Sequence, residues 1–381
     1  MITKLNHGQF EESLQLSEYA FQYVVPSEDR KRRFQQTKGH TVYGIHEEEK
    51  LAAKLHLIPL QIQLGEHVYP MGGIAGVATY PEFRRRGYVR QLMNHSLLKM
   101  KEDGKVLSML HPFSIDFYRK FGWEVFASFH KVQLVKKDLV PLKPYNGRIR
   151  RFKKDTYPNE LESIYDRYAE QHNGMLVRSK NWWRERSITD LWIAIYYNDA
   201  GEATGYLTYE VKKEKMKVEE FVPLTSDARI GLWNFICQHD SMVNEAELIL
   251  NPCEVLPIML KDPRIKLEKH PYFMARIVDV ENFLKRYVKE IDFPYQLEFS
   301  ITDSTAAWNN STFILNENEV MVGEKIEAPI SLDIKAFTAL IFGVHTPEEL
   351  LQMGKLQVGE EDFHKLQSLS QGKYPFFYDF F

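Results

Sequence analysis

The chain has 381 residues, of which 44% are apolar, 27% charged and 13% aromatic. That length calls for two or three domains, and the composition is that of ordinary globular protein, neither disordered nor fibrous. A net charge of −3 gives no global signal for nucleic acid or an anionic membrane, and the two cysteines, Cys237 and Cys253, are too few for a disulfide framework or a zinc cluster.

Residues 1–146 alternate helical and strand-like stretches. Phe10 to Phe21 reads as a helix, Thr41 to Ile45 and Leu51 to Leu64 as strands about a turn, and Met71 to Tyr80 as a further strand. Tyr88 to Asp103 reads as a helix, because Val89, Leu92, Met93, Leu97 and Met100 recur on one face. Gly104 stops it as a C′ glycine does. Val106 to Leu110 is a short buried strand. Strands alternating with helices imply an α/β or α+β domain with some parallel pairing. The loop Val140 to Gly147 closes the segment.

Residues 147–286 repeat this layout. A helix over Tyr157 to Glu170 precedes strands at Trp192 to Tyr197, Thr204 to Lys212 and Lys217 to Leu224, a helix over Asp227 to Gln238 and a strand at Glu247 to Leu250. Residues 287–381 open on a strand in which Leu297, Phe299 and Ile301 alternate with polar residues. Trp308 to Asn310 reads as a turn, and Ile334 to Phe342 and Pro347 to Met353 as helices. The stretch Tyr374 to Phe381 is dense in aromatics, so burial is expected in place of the fraying usual at a terminus. No apolar run approaches the roughly 20 residues of a membrane span, and Met1 to His7 has no signal-peptide character. A reduced, cytoplasmic location is expected.

The chemistry concentrates at residues 72–90. An apolar strand runs into Arg84-Arg85-Arg86-Gly87-Tyr88-Val89 and straight on into a helix. The first N–H groups of a helix lack partners and carry the positive end of its dipole, which suits a pyrophosphate. Gly87 keeps a Cβ from standing between backbone and phosphate, and the arginines add forked donors. A solvated basic face or a nucleic-acid patch is the competing reading. No Walker-type loop is present, and Gly72, Gly73 and Gly76 precede the strand's end, where a dinucleotide fingerprint has its glycines after it. In the second segment Val218 to Asp227 stands where the first has its strand and loop. There Ser226-Asp227 replaces the arginines and is expected to cap the helix, so this reads as a degenerate copy without ligand. No spacing suggests a metal. Trp182-Trp183 reads as packing between segments, with a cleft lining as the alternative, and His111 as structural. Glu47 to Glu49 read as a solvated turn, or as charge that attracts a polycationic substrate.

With this loop and the motif Phe117-Tyr-Arg-Lys-Phe-Gly-Trp123, the first segment resembles the GNAT superfamily of N-acetyltransferases. The resemblance covers 70–135 well and 1–70 more loosely, and departs at Val89, where many members have Gly or Ala. The Arg84–Gly87 loop, the Phe113-Ser-Ile-Asp-Phe-Tyr118 spacing, the Asp303…Trp308-Asn309 stretch and the terminal aromatic resemble, more specifically, the enhanced-intracellular-survival (Eis) type. That implies an α+β (α/β) fold with mixed central sheets: a catalytic GNAT domain at 1–146, a GNAT domain without cofactor at 147–286, and a sterol-carrier-like α/β domain at 287–381.

The resemblance also implies acetyl-CoA as co-substrate. Val77, Ala78 and Thr79 would hold its acetyl-pantetheine arm, and Arg85, Arg86, Gly87, Tyr88, Val89 and Arg90 its pyrophosphate. Phe113 and Ser114 would lie near that arm. Tyr118 would be the general acid and the α-carboxylate of Phe381 the general base. The acceptor would be an amine on a small molecule or peptide (aminoglycoside-like, polyamine or lysine), with no nucleic-acid or membrane partner. Members form homohexamers. Such transfer needs a base to free the amine. A thiol near pKa 8.5 and a tyrosine near 10 allow proton donation to the sulfur without a large shift, the splayed backbone at Val77 to Thr79 polarises the thioester carbonyl, and desolvation strengthens a buried carboxylate as base. Two rival readings are a non-catalytic CoA-binding regulator and a carrier of apolar ligands through the third segment.

Overall fold

Twelve strands form one continuous sheet across the first two segments. They are β1 Ile2–Lys4, β2 Thr41–Glu47, β3 Lys50–Leu64, β4 His67–Thr79, β5 Leu107–Leu110, β6 Glu124–Val135, β7 Arg148–Phe152, β8 Trp192–Tyr197, β9 Ala203–Lys212, β10 Lys215–Pro223, β11 Glu245–Leu250 and β12 Lys266–Ile277. This computed structural model describes residues 1–188, 190–316, 319–323, 328–370 and 372–381. The spatial order is β1-β2-β3-β4-β5-β12-β6-β11-β10-β9-β8-β7. Strand β12 lies antiparallel between β5 and β6, and β6 in turn pairs antiparallel with β11. Each half of the sheet is thus completed by a strand from the other segment, and the sheet crosses the expected division at residue 146 without a break. The repeat is visible in the parallel pairs β4–β5 and β10–β11, one in each half.

Local elements follow the sequence pattern. The helix Tyr88–Glu102 buries Leu92, Met93, Leu97 and Met100 against β3 and β4, each contributing roughly 1.5–3 kcal/mol. Its end is the left-handed Gly104 (φ +69°). The helix Ser226–Cys237 is capped differently from the expectation: Thr225 is the N-cap and its hydroxyl accepts from the Ala228 N–H, while Asp227 accepts from the Tyr196 hydroxyl. Thr, Ser and Asp are all good caps, and only the chain path from β10 decides which takes extended geometry.

The third segment carries β13 Leu297–Thr302, β14 Ser311–Asn316, β15 Glu319–Gly323, β16 Ile330–Asp333 and β17 Leu356–Gln357, ordered β15-β14-β13-β16-β17. Leu297, Phe299 and Ile301 are buried, as their alternation requires, and the helix Ile334–Phe342 packs on β6 and β12. The expected division at 286 falls inside the helix Val280–Glu290. Arg276 of β12 rivets the segments together. It is fully buried, donates to the Phe121 carbonyl and pairs with Asp303 at 2.5 Å, while Asn309 donates to the same carboxylate at 2.9 Å. Gly122 is required here: a Cβ would lie 2.7 Å from the Arg276 guanidinium.

Candidate active site

Strand β4 pairs with β5 only from Met71 to Ile74, although it continues to Thr79. Its β5-facing edge from Ala75 onward therefore has no strand partner. A bulge interrupts the β3–β4 ladder between Lys54 and His56, and across from it Gly76 adopts φ +55°, a conformation that glycine supplies without strain. Val77 packs toward the helix Tyr88–Glu102, and Ala78 packs on the opposite face with Leu5, Leu16 and Leu51. The Thr79 hydroxyl is buried with no hydrogen-bond partner.

Beyond β4 the basic loop is open. Arg84, Arg85, Arg86, Gly87 and Arg90 are exposed, and Tyr88 and Val89 half-buried. Arg85 (φ +62°) and Gly87 (φ +78°) are left-handed. Gly87 is the N-cap of the helix and brings no capping side chain, and nothing lies within 4 Å of where its Cβ would stand. The Tyr88, Val89 and Arg90 N–H groups are thus the partnerless first donors of a helix. Tyr88 itself donates to Glu47. Glu48 and Glu49, both with positive φ, form the β2–β3 turn, and none of the three glutamates lines the cleft described below.

Phe113 is exposed and its ring packs on Phe117 and Tyr118. Ser114 caps the helix Ile115–Arg119 by accepting from the Phe117 N–H. Tyr118 is buried, and its hydroxyl has no hydrogen-bond partner among the described residues. Burial pushes this phenol well above its ordinary value, because the aromatic cage that positions the hydroxyl also desolvates it.

The tail is buried at Phe376, Phe377, Asp379 and Phe381 but leaves Phe380 exposed. Phe381 stacks edge-on against Phe273 and Trp182. It covers Gly73, whose Cβ position lies 2.8 Å from the ring, whereas the neighbouring Gly72 faces Met100. By strand alternation, Phe381 therefore sits on the face of β4 opposite the helix Tyr88–Glu102. Asp379 clamps the tail. It accepts from Arg178 at 3.0 Å, from Trp182 at 2.7 Å and from Tyr165 at 3.2 Å. Arg178 also binds Glu220 at 2.5 Å and lies over the Tyr165 and Trp183 rings. Trp182 and Trp183 therefore do join segments, through the tail. His111 packs against Tyr272, Phe273 and Phe380.

A cleft of about 740 Å³ opens beside this tail, lined in part by Arg33, Arg186, Glu219, Tyr378, Asp379 and Phe380. Its charge is mixed, not acidic: Glu185 pairs with Arg32, Glu210 with Lys212, Glu219 with Lys217, and Glu220 with Arg178. One group escaped sequence reasoning. Lys54, nearly fully buried, contacts the Ser17 hydroxyl at 2.6 Å and His56 Nε2 at 2.9 Å, and His56 Nδ1 lies 3.1 Å from His40 Nδ1. The signal was present as two polar residues at i and i+2 within the apolar run Leu51 to Leu60. Among the described residues no cluster could hold a metal, and no helix is long and apolar enough to cross a membrane.

Comparison with known proteins matches these regions to three families. Residues 1–126 and 174–277 each match an acetyltransferase (GNAT) domain, and 280–378 match a sterol carrier protein domain. The N-acetyltransferase Eis of Mycobacterium tuberculosis is 28% identical over 214 residues, 53% of each chain, so the match spans about half the length of that relative. An uncharacterized N-acetyltransferase of Streptomyces avermitilis is 22% identical over 84% of this chain and 82% of its own. Among solved structures, a probable N-acyltransferase of unknown function from Enterococcus faecalis superposes with a TM-score of 0.92 at 26% identity, covering 100% of this chain and 99% of that one. Eis1 from Mycobacterium abscessus, at 18% identity, shares the fold with a TM-score of 0.81 over the full length of both. With two GNAT domains joined through one sheet and a sterol carrier domain locked onto them by Arg276, the chain belongs to the Eis-like tandem GNAT N-acetyltransferase family.

Proposed function

We propose that this protein transfers an acetyl group from acetyl-CoA to a primary amine by direct attack. The observation that carries the reading is the partnerless edge of β4 from Ala75 to Thr79, running into a helix start whose N-cap is the open, left-handed Gly87. The free edge offers Val77 to Thr79 to the acetyl-pantetheine arm, and the orphaned Thr79 hydroxyl suits a polar ligand there. Arg85 to Arg90 surround the proposed pyrophosphate position, and Phe113 and Ser114 flank the arm. Only the first domain has this loop; the second ends its equivalent strand, β10, at Pro223 and caps the next helix with the Thr225 side chain, with Asp227 beside it.

Tyr118 then acts as the general acid. Its raised phenol stays protonated at neutral pH and donates to the sulfur as the thioester bond breaks. In a polypeptide ending at Phe381, the α-carboxylate stands on the acceptor face of β4 and serves as base. The division into a catalytic domain at 1–146, a cofactor-free domain at 147–286 and a domain at 287–381 that delivers this tail follows from those roles. The mixed charge of the cleft does not dictate whether the amine acceptor is aminoglycoside-like, a polyamine or lysine. A homohexamer follows the family resemblance, and two unpaired cysteines fit the cytoplasm.

The test is release of CoA thiol from acetyl-CoA across those amine classes. Turnover with at least one class is expected. Tight acetyl-CoA binding with no thiol release from any amine would instead favour the regulatory reading.

A further inference from the structure

We propose that Lys54, His56 and His40 form a proton relay that carries away the proton lost by the acceptor amine. The relay rests on the acetyltransferase reading and adds to it a route that neither Tyr118 nor Phe381 provides.

The three side chains form an unbroken chain of contacts. Lys54 faces Ala78 in register across β3–β4, and His56 packs on Gly76, whose Cβ position lies 3.1 Å from the imidazole Cδ2. The two side chains straddle the bulge. Leu55 between them points into the core beneath the helix Tyr88–Glu102, so Lys54 and His56 face the other way, as Phe381 does. Gly73 and Gly76 stand three residues apart, so the covered glycine and the relay are separated by about 10 Å along β4. From the bulge the hydrogen bonds run Lys54 Nζ to His56 Nε2 at 2.9 Å and His56 Nδ1 to His40 Nδ1 at 3.1 Å. His40 and His56 line a separate hollow of about 410 Å³, together with Thr37, Thr41 and His7.

Proton balance calls for such a route. An ammonium acceptor loses two protons as the new N–C bond forms and the C–S bond breaks. One replaces the proton that Tyr118 gives to the CoA sulfur, and the other must reach solvent. The Phe381 carboxylate takes that proton from the acceptor, and along the relay an N–H bond then forms at Lys54 or His56 as the carboxyl O–H bond breaks. Successive N–H exchanges then move the proton to His40 and out through the hollow.

The surrounding charges favour transit over storage on the imidazoles. Arg33 from the helix Arg30–Thr37 and Arg186 from the turn Trp183–Ser187 face the histidines, Ser17 is the remaining contact of Lys54, and no carboxylate pairs with any of the three among the described residues. Burial with these cations holds His56 well below its ordinary value and His40 at about 3, while burial brings Lys54 to about 7. Lys54 is thus the member that exchanges a proton near neutral pH.

The experiment measures thiol release by the full-length protein and by His56→Gln, His40→Gln and Lys54→Met from about pH 6 to about pH 10. At neutral pH each variant is expected to lose at least ~10-fold in kcat. The KM for acetyl-CoA should stay unchanged, and activity should recover at alkaline pH, where free amine is abundant. His40→Gln, at the rim, guards against a folding defect in the buried variants. Variants with the wild-type kcat and pH profile would overturn the relay alone. A uniform loss at every pH would also overturn it, since that marks a structural role. A wild type that turns over no amine would overturn the acetyltransferase reading and the relay with it.

Discussion

Gly73 and Phe381 are in direct contact: the position a Cβ on Gly73 would occupy lies 2.8 Å from the Phe381 ring. The end of the third segment is therefore seated on the strand whose free edge is proposed to hold acetyl-CoA. Gly73→Val should expel the ring at an overpacking cost of about 1–3 kcal/mol. Turnover should collapse while acetyl-CoA affinity, measured by calorimetry, stays near wild type. Retained turnover would separate the tail from the chemistry.

Gly87→Glu addresses the cofactor loop. The side chain has open space, so the fold should survive with about 1–2 kcal/mol of strain from the positive φ. Its carboxylate would sit where the pyrophosphate is proposed, and acetyl-CoA binding should be lost. Unaltered binding would move the cofactor elsewhere.

Tyr118→Phe removes a hydroxyl that bonds to nothing among the described residues, so stability should change by less than about 1 kcal/mol. A general acid contributes roughly 10²–10⁴-fold, and kcat should fall in that range with acetyl-CoA affinity intact. Full activity would make Tyr118 a core residue.

Arg178→Met strands Glu220 and Asp379 as buried charges, at a cost of about 3–5 kcal/mol. Denaturant midpoints should fall accordingly. Amide exchange should rise first in the stretch Tyr374 to Phe381, because Asp379 is its clamp. Loss of stability without faster exchange there would place the weak point elsewhere.

Lys54 leaves a pH signature in stability. Its native value, about 7, lies below the ordinary 10.5, so between those values the unfolded chain binds the extra proton. Stability should therefore rise with pH across that window and fall as pH drops from about 10.5 to about 7. Lys54→Met should flatten the curve there, as read from chemical denaturation at stepped pH.

Much of this was legible because it is local. The helix Tyr88–Glu102 showed itself through five apolar positions on one face and a glycine stop, and the open loop before it through Gly87. Alternation at Leu297, Phe299 and Ile301 revealed β13, and the aromatic tail announced its own burial. Where several residues of equal local merit compete, as Thr225, Ser226 and Asp227 do for one cap, the reading slipped by a residue.

By itself the sequence determined which segments are helix or strand, the chemistry of the basic loop and the family to which the chain belongs, since periodicity, caps and motifs act over a few residues. Only the tertiary structure decided that β6 and β12 complete opposite halves of one sheet, that Phe381 covers Gly73, and that Lys54, His56 and His40 meet beside Gly76. The first two join residues far apart in the chain, and the third depends on the β3–β4 bulge. Which partners meet is set by global packing of the sheet and its covering tail, and no local pattern records it.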